Sequence, residues 1–105
     1  MRGSSLLDSL TTRTKQRLLA ATVLHPEREW YLLELARHLG VTPSSIQRDL
    51  AAFVHAGVLK RRADGNRVYF RADMDCPIFT ELRSVLLKTV GLVEVLREAL
   101  APFRP

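Results

Sequence analysis

Ser44, Ser45, Gln47 and Arg48 stand almost side by side in the stretch "GVTPSSIQRDL", Gly40 to Leu50. Their side chains are built for recognition rather than for bond-breaking: short hydroxyls tolerate close approach, an amide matches a donor–acceptor edge, and a guanidinium grips two acceptors at once. A second group lies downstream, where Leu59 to Arg71 carries Lys60, Arg61, Arg62, Arg67 and Arg71 against one acid, Asp64. Positive charge concentrated on a short segment is the electrostatic footprint of a polyanion partner. Catalytic sets are missing: there is no Ser/His/Asp ordering, no phosphate-cradling glycine loop, and one thiol, Cys76. A lone cysteine forms neither an intramolecular disulfide nor a zinc site of paired thiolates. Cys76, just ahead of Pro77 at a helix start, reads as a buried inert thiol, with a redox switch as the alternative. His25, His38 and His55 fall on three different elements and read as surface or helix-end residues, so no metal, no cofactor and no enzymatic activity are expected.

The elements that position these groups must come from a chain of 105 residues, enough for one modest core. At 47 % hydrophobic and 26 % charged, the composition is that of an ordinary folded domain and not of a disordered one. No apolar run approaches the roughly 18 residues of a membrane span. The N-terminal "MRGSSLLDSL" lacks the apolar core of a secretory signal, so a cytoplasmic protein is expected. The net charge of +5 is uneven: residues 1–71 hold 12 Lys and Arg against 6 Asp and Glu, whereas residues 72–105 hold 4 against 5.

Periodicity predicts a mainly α chain. Thr14 to Leu24 reads as a first helix, stopped by His25-Pro26. A short extended piece at Glu29 to Tyr31 precedes a second helix with Leu32, Leu35, Ala36 and Leu39 on one face and Gly40 at its end. Gly40 can take the left-handed conformation, Thr42 can cap the next helix, and Pro43 suits its first position. That third helix buries Ile46, Leu50, Phe53 and Val54, which turns Ser44, Ser45, Gln47, Arg48 and Ala51 outward. Two extended runs, Val58 to Arg62 and Arg67 to Ala72, around Asp64-Gly65-Asn66 predict a hairpin. Lys60 and Arg62 share one strand face and Arg61 takes the other. Two or three hairpin contacts are therefore expected, with Asn66 and Arg67 at the tip.

Helix, turn, helix and basic hairpin together resemble the winged-helix transcription regulators of the ArsR/MarR kind. The segments "LARHLGVTPSSIQRDLAAFVHAGVLKRR" and "GNRVYF" carry the resemblance, which extends over roughly residues 14–72. It implies a winged helix-turn-helix, mainly α with a small β-hairpin wing, whose second helix lies in the major groove of double-stranded DNA while the wing covers neighbouring backbone or minor groove. On that resemblance Ser44, Ser45, Gln47 and Arg48 occupy groove-reading positions, Thr42 a helix-start phosphate contact, and Lys60, Arg61, Arg62, Asn66 and Arg67 the wing. Groove dimensions agree, since a major groove about 12 Å wide admits one helix with short, hydrogen-bonding side chains at closest approach. Helix capping explains Thr42 equally well. Metal-sensing members carry paired cysteines near the recognition helix or His and Asp clusters on the last helix, and neither pattern is present here.

Residues 1–75 are thus expected to form the DNA-binding unit and residues 76–105 a long C-terminal helix, from Pro77 to about Ala101, packed on it. Phe79, Leu82, Leu86, Val90, Val93 and Leu96 give that helix an apolar stripe too wide for solvent, expected to pair two subunits. A C2 pair would set its recognition helices about 34 Å apart and match a palindromic operator, as for a dimeric repressor. The segment "DMDCPIFTELRSVLLKTVGLVEVLREAL" also looks like one found beside nucleotidyltransferase-like domains. The alternative function is accordingly an interaction module that regulates such an enzyme, attached or neighbouring.

Overall fold

The computed structural model describes residues 11–91. Helix α1 (Arg13–Val23) starts at Thr12, whose hydroxyl accepts the Lys15 N–H at 3.1 Å. It buries Leu18, Ala21 and Val23, and Thr22 in the same interior donates its hydroxyl to the Leu18 carbonyl at 3.0 Å, so no orphan polar group results. The helix ends ahead of His25-Pro26, where proline forbids another turn.

Strand β1 (Trp30–Tyr31) runs directly into helix α2 (Leu32–Leu39). Trp30 is 1 % exposed, and the Arg28 guanidinium lies 3.5 Å from its ring centroid. Gly40 closes α2 at φ 71°, with its N–H donating to the Arg37 carbonyl at 3.1 Å and the Val41 N–H to Ala36 at 3.0 Å. This paired closure is a Schellman motif, and an L side chain in that left-handed conformation costs about 1–2 kcal/mol. Helix α3 (Pro43–His55) follows at once, anchored by Ile46 and Leu50 at 0 % exposure, with Phe53 and Val54 half-buried against the same core.

Strands β2 (Leu59–Asp64) and β3 (Arg67–Ala72) form the hairpin, joined by Gly65-Asn66 with Gly65 at φ 62°. Positive φ at the first turn position favours glycine and suits the right-handed twist of the strands. Asp64 pairs with Arg67, so it belongs to the strand rather than to the turn expected around it. The antiparallel sheet has the order β1-β3-β2. Opposed residues share a face. Leu59 with Ala72 and Trp30 with Phe70 therefore point to the core, while Lys60 with Arg71, Arg62 with Tyr69 and Tyr31 with Tyr69 point outward.

The last described helix, α4 (Phe79–Leu86), packs on α1. It starts two residues later than predicted, because Asp73 takes the chain through a turn: its Oδ1 accepts the Asp75 N–H at 2.9 Å, and the Cys76 N–H donates to its carbonyl at 3.1 Å. Cys76 is buried there. At Leu87–Gly91 the coil widens into a π-helical turn, in which the Thr89 hydroxyl donates to the Val85 carbonyl at 2.7 Å. The predicted continuation to Ala101, with Val93 and Leu96, lies outside the described residues.

The expected subunit-pairing stripe also changes. Leu86 is 3 % exposed, covered within its own chain, and so is not free to meet a partner; Phe79, Leu82 and Val90 are half-buried. The apolar side chains that α4 and its N-cap leave in solvent are Ile78 and Val85. No helix among the described residues is long and apolar enough to cross a membrane.

Neighbouring positions of α3 should respond oppositely to truncation. Ile46→Ala is expected to cost about 2–5 kcal/mol in urea unfolding through the cavity it leaves, whereas Gln47→Ala should change stability by no more than about 0.5 kcal/mol.

Candidate nucleic-acid interface

With Ile46 and Leu50 fixed inward, α3 presents Ser44, Ser45, Gln47 and Arg48 to solvent, and all four are exposed. Exposed Ala51 and Ala52 extend the same surface with side chains that do not obstruct close approach. Ser45 is partly occupied at the helix start, where its hydroxyl donates to the Thr42 carbonyl at 2.7 Å. Thr42 holds the N-cap position at φ −77°, ψ 148°, but its side chain caps no backbone N–H. Its hydroxyl instead lies 3.4 Å from that of Ser44. The expected side-chain cap is therefore not made; Pro43 has no N–H and the Ser45 N–H donates to the Thr42 carbonyl at 3.1 Å, so it is the Ser44 N–H that lies at the positive helix end without a side-chain cap. Asp49 is drawn aside by Lys15 at 3.8 Å. Among the described residues no ion pair engages Arg48.

The wing is less uniform than its composition. Arg61 sits on the same face as Phe70 but projects into solvent from the edge strand, without an ion pair among the described residues. Asn66 is exposed at the tip. Arg67 folds back with its guanidinium 5.0 Å from the Tyr31 ring centroid, and Lys60 lies 3.8 Å from Asp73. Arg62 is the most constrained: its Nε and Nη2 each donate to Glu29 at 2.8 Å, and its guanidinium lies 4.6 Å from the Tyr69 ring centroid. Glu29, Lys60, Arg61, Arg62 and Arg71 line an open cleft of about 400 Å³ at the wing's base.

Glu29 is the residue that sequence reasoning missed. It stands 33 positions from Arg62, beyond the reach of any local pattern. Hydrogen bonds from Arg62 hold its carboxyl below the usual range, opposed by partial desolvation and reinforced by the charges of Arg62 and Arg71. The same bond raises Arg62 above the ordinary guanidinium value. No group of three or more His, Cys, Asp or Glu among the described residues could hold a metal ion.

Two helices linked by a tight turn, a third helix behind them and a three-stranded antiparallel sheet ending in a hairpin define the winged-helix fold. No family model matches the sequence, and no curated protein matches it. Solved structures do. Rv0081 of M. tuberculosis is 27 % identical with a TM-score of 0.58, over 91 % of this chain and 90 % of that one. The adhesin competence repressor AdcR of Streptococcus pyogenes is 16 % identical with a TM-score of 0.58, over 96 % and 76 %. A possible transcriptional regulator of Methanosarcina mazei is 16 % identical with a TM-score of 0.59, over 90 % and 81 %.

Because the carboxyl of Glu29 is depressed by folding, the tie to Arg62 is present above the unfolded-state pKa and fades as pH falls through the folded one. Urea unfolding followed from about pH 6 to pH 3 should therefore show a loss in wild type that Arg62→Gln lacks over the lower part of that range.

Proposed function

We propose that this protein is a double-stranded DNA-binding transcription regulator of the ArsR/MarR kind, which reads a palindromic operator as a homodimer and acts in the cytoplasm as a repressor. The observation that carries the reading is Arg48, exposed and without an ion pair among the described residues, on a helix whose opposite face is locked into the core. Its planar fork suits guanine O6 and N7, and the amide of Gln47 suits adenine, each good pair discriminating by about 1–3 kcal/mol. Ser44 and Ser45 are short enough to let the helix approach the base edges, and the Thr42 hydroxyl with the Ser44 N–H beside it suits a backbone phosphate. Arg61 and Asn66 are the wing groups best placed for the neighbouring backbone or minor groove, and Arg67 at the tip would join them by leaving the Tyr31 ring. Two structural relatives, the adhesin competence repressor and the possible transcriptional regulator of M. mazei, support the same reading.

Pairing is supported by the outer side of α4. Ile78 and Val85, at 55 % and 47 % exposure, stand seven residues apart, two helical turns along one side, with half-buried Phe79 and Leu82 nearby. Two copies joined there by a twofold axis would offer two α3 helices to successive major-groove faces about 34 Å apart.

The deciding experiment is binding to duplex DNA as a function of salt. Contact with six to ten phosphates predicts an affinity loss of about 10³–10⁵ between 50 and 200 mM salt. No binding at 50 mM overturns the proposal and favours the interaction-module reading. Arg48→Ala should erase the preference for the selected operator by about 1–3 kcal/mol with little change on mixed sequence, whereas Arg61→Ala with Arg67→Ala should weaken all duplexes alike and flatten the salt slope. Val85→Asp, at an exposed site, should convert the dimer to a folded monomer by light scattering and circular dichroism; an unchanged dimer would locate the interface elsewhere.

A further inference from the structure

The wing contains three consecutive cations, Lys60-Arg61-Arg62, but the structure does not offer them equally. Every nitrogen of the Arg62 guanidinium faces an acid: Nε and Nη2 donate to the two Glu29 oxygens at 2.8 Å, and Nη1 lies 3.7 Å from Asp64 Oδ2. The Tyr69 ring backs the same group at 4.6 Å. A bidentate, charge-assisted pair with its plane held against an aromatic ring is the most orientation-specific form of arginine contact. Glu29 holds two of the five guanidinium N–H donors and sets the direction of the others, and its carboxylate offsets the charge that a phosphate would meet. Arg61, one residue earlier and on the opposite strand face, faces no such competition.

We infer that Glu29 keeps Arg62 out of the phosphate contacts and so limits sequence-independent affinity, an inference that rests on the DNA-binding reading above. Phosphate contacts add affinity for every sequence alike, whereas base contacts separate one sequence from another. Withholding one cation from the backbone therefore lowers affinity for every duplex by the same factor and leaves base reading to Arg48 and Gln47. Glu29 acts through Arg62 and touches no base, which makes it a positioning residue. The pair is exposed, with side-chain exposures of 52 % for Arg62 and 33 % for Glu29, so exchanging it leaves the core intact.

The test compares wild type, Glu29→Gln and the double variant Glu29→Gln with Arg62→Gln, each as the full chain, on mixed-sequence duplex between 50 and 200 mM salt. Glutamine keeps the shape of Glu29 and removes its charge. In Glu29→Gln the freed Arg62 should add one neutralised phosphate, steepening the dependence of log affinity on log salt by about 0.9, which is about 3.5-fold more loss across that range. The double variant should return to the wild-type slope, because the pair it replaces contributed no phosphate contact. Discrimination between operator and mixed sequence should be the same in all three proteins, because a backbone contact adds to both duplexes alike; a change in discrimination in Glu29→Gln would mean that the freed Arg62 reads bases and would overturn the inference. A wild-type slope in Glu29→Gln overturns the inference. So does a double variant about 0.9 shallower than wild type, since that would mean Arg62 contacts phosphate despite Glu29. Wild type without duplex affinity at 50 mM removes the DNA reading itself and this inference with it, and that arm is read before any variant is compared. Circular dichroism on all three proteins verifies that the slopes compare folded molecules.

Discussion

The burial of Ile46 and Leu50 is the contact on which the geometry of the presented surface depends. Both are fully excluded from solvent, and each contributes about 1.5–3 kcal/mol by leaving water. Their spacing, one helical turn apart, allows α3 only one rotation about its own axis. Once that rotation is set, Gln47 and Arg48 cannot face inward without exposing two core side chains. The turn at Gly40 sets the remaining freedom, because paired hydrogen bonds from Gly40 and Val41 close α2 and direct the chain into the next helix. Hydrophobic burial thus decides which residues are available for hydrogen bonding.

Charge follows a different logic. The basic segment is an edge strand and its hairpin partner, half in solvent, where an individual ion pair adds little to folding stability. Such pairs nevertheless decide which cations remain available. Lys60 faces Asp73, Arg62 faces Glu29, and Arg67 lies against Tyr31, whereas Arg61 stays open. A count of basic residues overstates the free charge, and the difference lies in long-range partners rather than in composition.

Legibility from sequence divides along the same line. Features governed by neighbours in the chain could be read directly: the stop before Pro26, the left-handed closure at Gly40, Pro43 at a helix start, a hairpin around Gly65-Asn66 (with Asp64 in its strand rather than in the expected turn), and the inward set of Ile46 and Leu50. Features governed by partners far along the chain could not. Glu29 and Arg62 are separated by 33 positions, and nothing in "HPEREWY" marks that glutamate as the acid that will meet the wing. Which side of the last helix stays open could not be read for a third reason. A count at 3.6 residues per turn put Leu86 on an outer stripe, but it cannot tell which side α1 will cover, and it carries no sign of the wider turn that Thr89 accompanies. Periodicity finds an apolar face; tertiary packing decides whether that face is already used.

Arg17 shows how closely these parts are joined. It projects from α1 and donates to the Leu39 carbonyl at 2.8 Å, at the residue where α2 gives way to the Gly40 turn. The same α1 supports α4 along its length. One helix therefore works as a strut between two ends of the molecule: braced against α4 at one side, and pinned by a single guanidinium to the pivot from which α3 departs. The helix that α4 packs on and the helix whose arginine holds the carbonyl ahead of the Gly40 turn are thus one and the same, so the placement of both ends refers to a single element of eleven residues.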